Sequence, residues 1–157
     1  MYKKIFFCFL TLACYSFVSA QSYKRLHRKA IVVDTHNDIL MKAAENGVVF
    51  DRDLTGKTHS DLARWKKGGL DVQLFSVYCD GDLKDPYAWA NREMDSLDAV
   101  VARNPNLIVK VFNYTQLLQA VKQHKIAAMF GVEGGHMIED DLDKLKSLYD
   151  RGARYLT

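Results

Sequence analysis

Short, nearly continuous apolar runs alternate with amphipathic stretches from Ala30 to Thr157, and that alternation admits few folds. An apolar run bounded by turn residues reads as a strand buried on both faces, and apolar residues recurring every three or four positions read as a helix. "IVVDTH", residues 31–36, predicts a strand, and "LDVQLFSVYC", 70–79, predicts a second. "DPYAWANREMDSLDAVVARNP" predicts a helix. Asp85 can cap it, Pro86 suits its first turn, and Tyr87, Ala90, Met94, Leu97 and Val101 form one stripe. Pro105 stops it. "LIVKVF", 107–112, predicts a short strand, Thr115 a cap for a helix to about His124, and "IAAMFGVE", 126–133, another buried strand. "IEDDLDKLKSLYDRG" predicts a helix with acids in its first turn, favourable against the positive end of the dipole. Gly152 suits the position just past its end, and "ARYLT" opens one more strand.

Strands alternating with helices mean βαβ units around a parallel sheet. No linker, low-complexity segment or repeat interrupts them. A new strand opens at Ala153 without turn or polar tail, as expected of the N-terminal part of a longer protein. The expected fold is therefore α/β: about half of a TIM-like (β/α)8 barrel, which needs roughly 250 residues when complete. A half-barrel would leave a parallel strand edge unpaired, so self-association is expected of it.

The first twenty residues, "MYKKIFFCFLTLACYSFVSA", stand apart. Lys3 and Lys4, an apolar run to about Phe17, and Val18-Ser19-Ala20 read as a secretory signal peptide cut after Ala20. The domain assignment is accordingly 1–20 signal peptide and 21–157 incomplete barrel. The apolar run is shorter than the roughly 20 residues of a membrane span. The expected location is exported, periplasmic or extracellular. Lipid attachment at Cys14 is the alternative, and only then would the chain associate with a membrane. Losing Lys3 and Lys4 takes Lys+Arg from 22 to 20 against 19 Asp+Glu, so basicity gives no argument for nucleic acid. Cys8 and Cys14 leave with the signal, and Cys79 alone permits no internal disulfide.

The chemistry concentrates at two strand ends. In "IVVDTHNDIL", Asp34, His36 and Asp38 follow an apolar run at alternate positions, and alternate residues of a strand share a face. Burying such groups costs several kcal/mol unless each finds a partner. Imidazole and carboxylate together suit an ion such as Zn²⁺. The residues alone leave a second reading open: Asp34 bonded to nearby backbone and His36 a satisfied core histidine. In "GVEGGHMIEDDL", Glu133 ends a buried strand at the equivalent edge, and Gly134 and Gly135 leave room for the backbone to turn. A barrel builds its active site at that C-terminal rim.

"VVDTHNDIL", "HSDLARWKKGGLDVQLFSVY" and "GVEGGHMIEDDLDKLKSLYDRGARYLT" resemble the membrane (renal) dipeptidase family, the M19 metallopeptidases, over most of residues 30–157. The resemblance implies a TIM-barrel-like hydrolase that cleaves dipeptides with two zinc ions, and D-residue C-termini among its substrates. It places His36 and Asp38 at the first zinc and makes Glu133 the carboxylate bridging both. Asp34 is not carried over as a ligand, and His136 is read as shaping the helix start rather than binding metal. The family pattern also requires two histidines on later strands, a substrate-contacting histidine shortly after "RYLT" and a late aspartate. His27, His59, His124 and His136 match none of these, so the chain alone is expected to be inactive. His59 reads as a loop residue, His124 as an exposed helix end, Lys66 and Lys67 as a solvated face, and Phe75 and Tyr78 as core rather than pocket.

Two rival readings follow from the same residues. Another barrel-type metal-dependent amidohydrolase would commonly open with His-x-His, where Asp38 stands here. A non-catalytic metal- or peptide-binding half-barrel needs no later ligands. The sequence leaves a homo-oligomer open.

Overall fold

The computed structural model describes residues 23–157. The expected signal peptide, with Cys8 and Cys14, lies outside the described residues. Residues 23–29 form an exposed helix, and residues 31–157 form a separate compact unit. No helix among the described residues is long and apolar enough to cross a membrane.

The unit of residues 31–157 alternates strands and helices as the sequence predicts. In chain order it contains β1 (Val33–Asp34), α1 (Ile39–Asn46), α2 (Leu62–Gly68), β2 (Val72–Val77), α3 (Pro86–Arg103) and β3 (Ile108–Lys110). There follow α4 (Tyr114–Lys122), β4 (Ile126–Val132), a 3₁₀ turn (Gly135–Ile138), α5 (Leu142–Arg151) and β5 (Ala153–Leu156). All pairings are parallel, with Val33 opposite Val72 and Val72–Val77 opposite Ala127–Val132.

β2 occupies one edge of β4 along its length, and two strands divide the other edge. β3 pairs with Ile126–Ala128, and β5 takes over at Phe130, with a register irregularity between Phe130 and Gly131. At the level where β4 ends, the paired strands are therefore β2, β4 and β5.

The period-two alternation of β2 and β4 separates two apolar layers. Phe75, Val77, Ala128, Phe130 and Val132 pack under the helices with Leu40, Met94, Leu97 and Leu148. Val72 and Ala127 face the other way and meet Val111 and Ala120, with Leu117 and Val121 of α4 around them. Each fully buried aliphatic or Phe side chain contributes about 1.5–3 kcal/mol relative to exposure. Phe50, Trp65 and Phe75 interlock with ring centroids 5.6–6.0 Å apart, so Phe75 is core, as expected.

Three helix starts differ from expectation. Asp85 makes no capping bond, because its left-handed backbone (φ 57°) departs from the extended conformation a capping side chain uses. Pro86 does open α3. Thr115 lies inside α4, and Asn113 is the cap, its Oδ1 accepting the Gln116 N–H at 3.0 Å. The helix expected from residue 138 starts only at Leu142. Glu139 and Asp140 both take left-handed backbone and break the run, and Asp141 caps α5 by accepting the Asp143 N–H. Glu139 instead accepts the Tyr87 N–H at 3.0 Å and pairs with Lys144, tying the turn to α3.

Candidate metal centre

The chain leaves the sheet directly after Asp34, whose Oδ1 accepts the His36 N–H at 3.2 Å. This local carboxylate–backbone turn, not strand pleating, sets the direction of the next residues. The expectation that Asp34, His36 and Asp38 share a face as strand neighbours is corrected accordingly. Asn37 fastens the loop to β2. Its carbonyl accepts the Ser76 N–H at 3.0 Å, and its Nδ2 donates to Gln73 Oε1 at 3.1 Å. Gln73 is fully buried, and its Nε2 donates to the carbonyls of Leu74 and Asp34.

Asp38 occupies the capping position of α1 but makes no capping bond. Asn37 Oδ1 accepts the Ile39 N–H instead, at 3.1 Å. The Asp38 carboxylate is left to face His36, with Oδ1 3.1 Å from Nε2. Glu133 follows β4, and its N–H donates to the Val77 carbonyl at 3.0 Å. Its Oε1 accepts the Ser76 hydroxyl at 2.8 Å and lies 3.2 Å from His36 Nδ1.

His36, Asp38 and Glu133 thus offer one imidazole and two carboxylate ligand atoms, all within 4.8 Å of one another. Two carboxylates this close repel when ionised, and a divalent cation removes that penalty. The donor set fits a borderline-hard ion. Side-chain exposures of 53%, 56% and 27% for His36, Asp38 and Glu133 leave the cluster accessible. Beside it opens a cleft of about 690 Å³ lined by Asp34, His36, Asn37, Asp38, His59 and Trp65, among others. His59 is an exposed loop residue, as expected, yet it borders this cleft.

His136 does not join the cluster. Its Nε2 lies 3.0 Å from the Cys79 carbonyl, and its ring packs against Gly134. A Cβ added at Gly134 would meet that ring at 2.4 Å, and φ is +93° there, so the position needs glycine. Gly135 faces open space, so only the first glycine of the pair has this role. His124 is exposed beyond α4. Its carbonyl accepts Lys66 Nζ, so Lys66 is anchored while Lys67 is the solvated one. Tyr78 bonds Asp80 through its hydroxyl at 3.0 Å, and that bond raises its phenol above the ordinary value. Tyr155 of β5 covers Gly131, where a Cβ would collide with its ring. Burial, then the charge of Glu133, raises the Tyr155 phenol.

Ser76, Asn37 and Gln73 orient the cluster and were not singled out from the sequence. The available signal was a polar side chain inside an otherwise apolar strand, at Gln73 and Ser76.

The chain is an α/β unit whose parallel sheet gathers an imidazole and two carboxylates at its C-terminal rim, the end at which barrel enzymes build their active sites. The dipeptidase AC, a metallopeptidase, aligns with TM-score 0.72 and 21% identity over 80% of this chain and 41% of its own. The probable dipeptidase PvdM from Pseudomonas aeruginosa aligns with TM-score 0.76 and 17% identity over 87% of this chain and 36% of its own. A metallopeptidase from Rhodobacter sphaeroides, liganded with a phosphinate mimic of L-Ala-D-Ala, aligns with TM-score 0.67 and 18% identity over 80% and 44%. The chain therefore spans less than half the length of each of these structures. Residues 20–157 match the membrane dipeptidase family (peptidase family M19), and the chain belongs to that family.

Proposed function

We propose that the chain contributes the first metal position, and the carboxylate shared with a second, to a two-zinc enzyme that hydrolyses dipeptides. The observation that carries this reading is the convergence of His36, Asp38 and Glu133 within 4.8 Å at the strand ends. His36 and Asp38 would hold one ion, and Glu133 would bridge it to the other. When bound, zinc lowers the pKa of coordinated water to roughly 7 and polarises a carbonyl oxygen.

The chain's own residues supply orientation. Ser76 donates to Glu133 Oε1 and so fixes which way that carboxylate faces. The Asn37–Gln73 bond sets the loop that presents His36 and Asp38. The cleft beside the cluster offers a small peptide access to it. The later histidines that the family pattern requires are not in residues 1–157, so this chain alone is inactive in our reading. Substrates with D-residue C-termini fit it, given that one related structure holds an L-Ala-D-Ala mimic.

Zinc titration of the chain, followed by chelator competition, tests the assignment. We expect binding that His36→Ala, Asp38→Asn and Glu133→Gln each weaken by at least about tenfold. Unchanged binding in all three variants would sink it. Dipeptide hydrolysis by a longer form carrying the later histidines, lost on Glu133→Gln, tests the activity.

A further inference from the structure

Glu93 is fully buried on α3, in the middle of the apolar stripe formed by Ala90, Met94 and Leu97. One carboxyl oxygen, Oε2, accepts the Tyr78 N–H at 2.8 Å. The other, Oε1, has no hydrogen-bond partner among the described residues. A buried acid with one orphan oxygen is costly, and a leucine there would complete the stripe. Its position shows what the acid holds.

Tyr78 is the first residue after β2, and α3 grips both of its backbone polar groups. Glu93 takes the N–H, and Trp89, one helical turn earlier, donates Nε1 to the carbonyl at 3.1 Å. On either side of Tyr78 lie the two carbonyls that locate the segment after β4. Val77 accepts the Glu133 N–H at 3.0 Å, and Cys79 lies 3.0 Å from His136 Nε2.

We propose that Glu93 is a positioning residue for the candidate metal centre, fixing from α3 the β2 exit whose flanking carbonyls set the backbone of Glu133 and His136. The proposal deepens the metal reading above and rests on it for its consequence, though not for the tie itself. Glu93 does this work as the neutral acid. Burial raises it to about 8, against the smaller lowering by the Tyr78 N–H and Trp89. The charged groups with the largest effect on it are Asp38, at the start of α1, and Glu45 within it, both of which raise it further, with Cys79 at the β2 exit under its influence in turn. No cation is among the largest influences on it, and no ion pair joins it among the described residues. Ionisation therefore places an uncompensated charge between α3 and the β2 exit, and the exit loosens.

The test uses metal-free full chain and two variants. Glu93→Gln keeps an oxygen for the Tyr78 N–H and cannot ionise, whereas Glu93→Leu leaves that N–H unpaired. Amide hydrogen exchange, corrected for intrinsic rate, is read for residues 77–80 and 133–136, with Trp89 emission as a second signal. The wild type should lose protection by about tenfold per pH unit above its transition. Glu93→Gln should keep it, and Glu93→Leu should lack it at every pH while the rest of the sheet stays protected. Zinc affinity should fall at least tenfold in Glu93→Leu and return in Glu93→Gln. Identical pH profiles for wild type and Glu93→Gln, or normal protection in Glu93→Leu, overturn the proposal. A wild type that binds no zinc defeats the metal reading alone, and the exchange data still decide the tie.

Discussion

The Ser76 hydroxyl donates to Glu133 Oε1 at 2.8 Å, joining β2 to the carboxylate at the end of β4. Ser76 is buried and Glu133 is partly exposed, so the bond constrains the carboxylate from within the sheet. Replacing an outer partner of a metal ligand typically costs 10–100-fold in affinity. On the zinc reading proposed above, Ser76→Ala should therefore weaken zinc binding by about tenfold or more while leaving the far-ultraviolet circular dichroism unchanged. Calorimetric titration checks this, and equal affinities would show that Glu133 is oriented by something else.

Gly134 combines a left-handed backbone with the His136 ring where a Cβ would sit. Both the strain and the collision fall on any other residue. Gly134→Ala should lower stability by about 1–3 kcal/mol, a shift of several degrees in Tm. His136→Ala in the same background should recover the part due to collision but not the part due to backbone strain. Thermal melts of the two single variants and the double variant separate them.

Asp61 caps α2 while buried. It accepts the N–H groups of Arg64 at 2.8 Å and Leu54 at 3.0 Å and pairs with the Arg64 guanidinium. Burial works to raise this acid, but the two backbone donors and Arg64 together hold it below its ordinary 3.8. A depressed folded-state value stabilises above the unfolded value and is lost as pH falls through the folded one. Asp61→Asn should cost about 1–2 kcal/mol at neutral pH and progressively less below pH 4, where the wild type also loses the charge. Urea denaturation at pH 3 and pH 7 measures the difference.

Cys79 is buried against Met137 Sδ at 3.3 Å, and burial first, then Glu93 and other acids, pushes its thiol up to about 11. A thiol this protonated is a poor nucleophile. Iodoacetamide at pH 6.5, below the Glu93 transition, should leave Cys79 unmodified in the folded chain and alkylate it in denaturant, as read by peptide mapping at residue 79. Rapid native labelling would mean that the β2 exit opens readily.

The strand–helix alternation was legible because burial on both faces writes itself as an unbroken apolar run, as in Val72–Val77 and Ile126–Val132. The division of one β4 edge between β3 and β5 was not, since hydrogen-bonded neighbours leave no mark on either strand's own composition. His36, Asp38 and Glu133 were picked out as ligand types at strand ends, and the structure brings them together. Their convergence by a turn at Asp34 was missed, because alternate spacing looks the same in a strand and in a short loop. Whether a carboxylate caps its helix or looks outward depends on a neighbour, here Asn37, that takes over the cap. Glu93 lay on the apolar stripe of α3, three residues past Ala90, but an acid in a helix ordinarily reads as the wet face.

The handover at Phe130 has an architectural outcome. Since β3 departs from β4 before the level of Ser76 and Glu133, the segment 108–122 forms a floor beneath the rim. Length changes or exchanged sequence in that floor could accumulate without shifting the rim, provided the small residues Ala120 and Ala127 still let it seat.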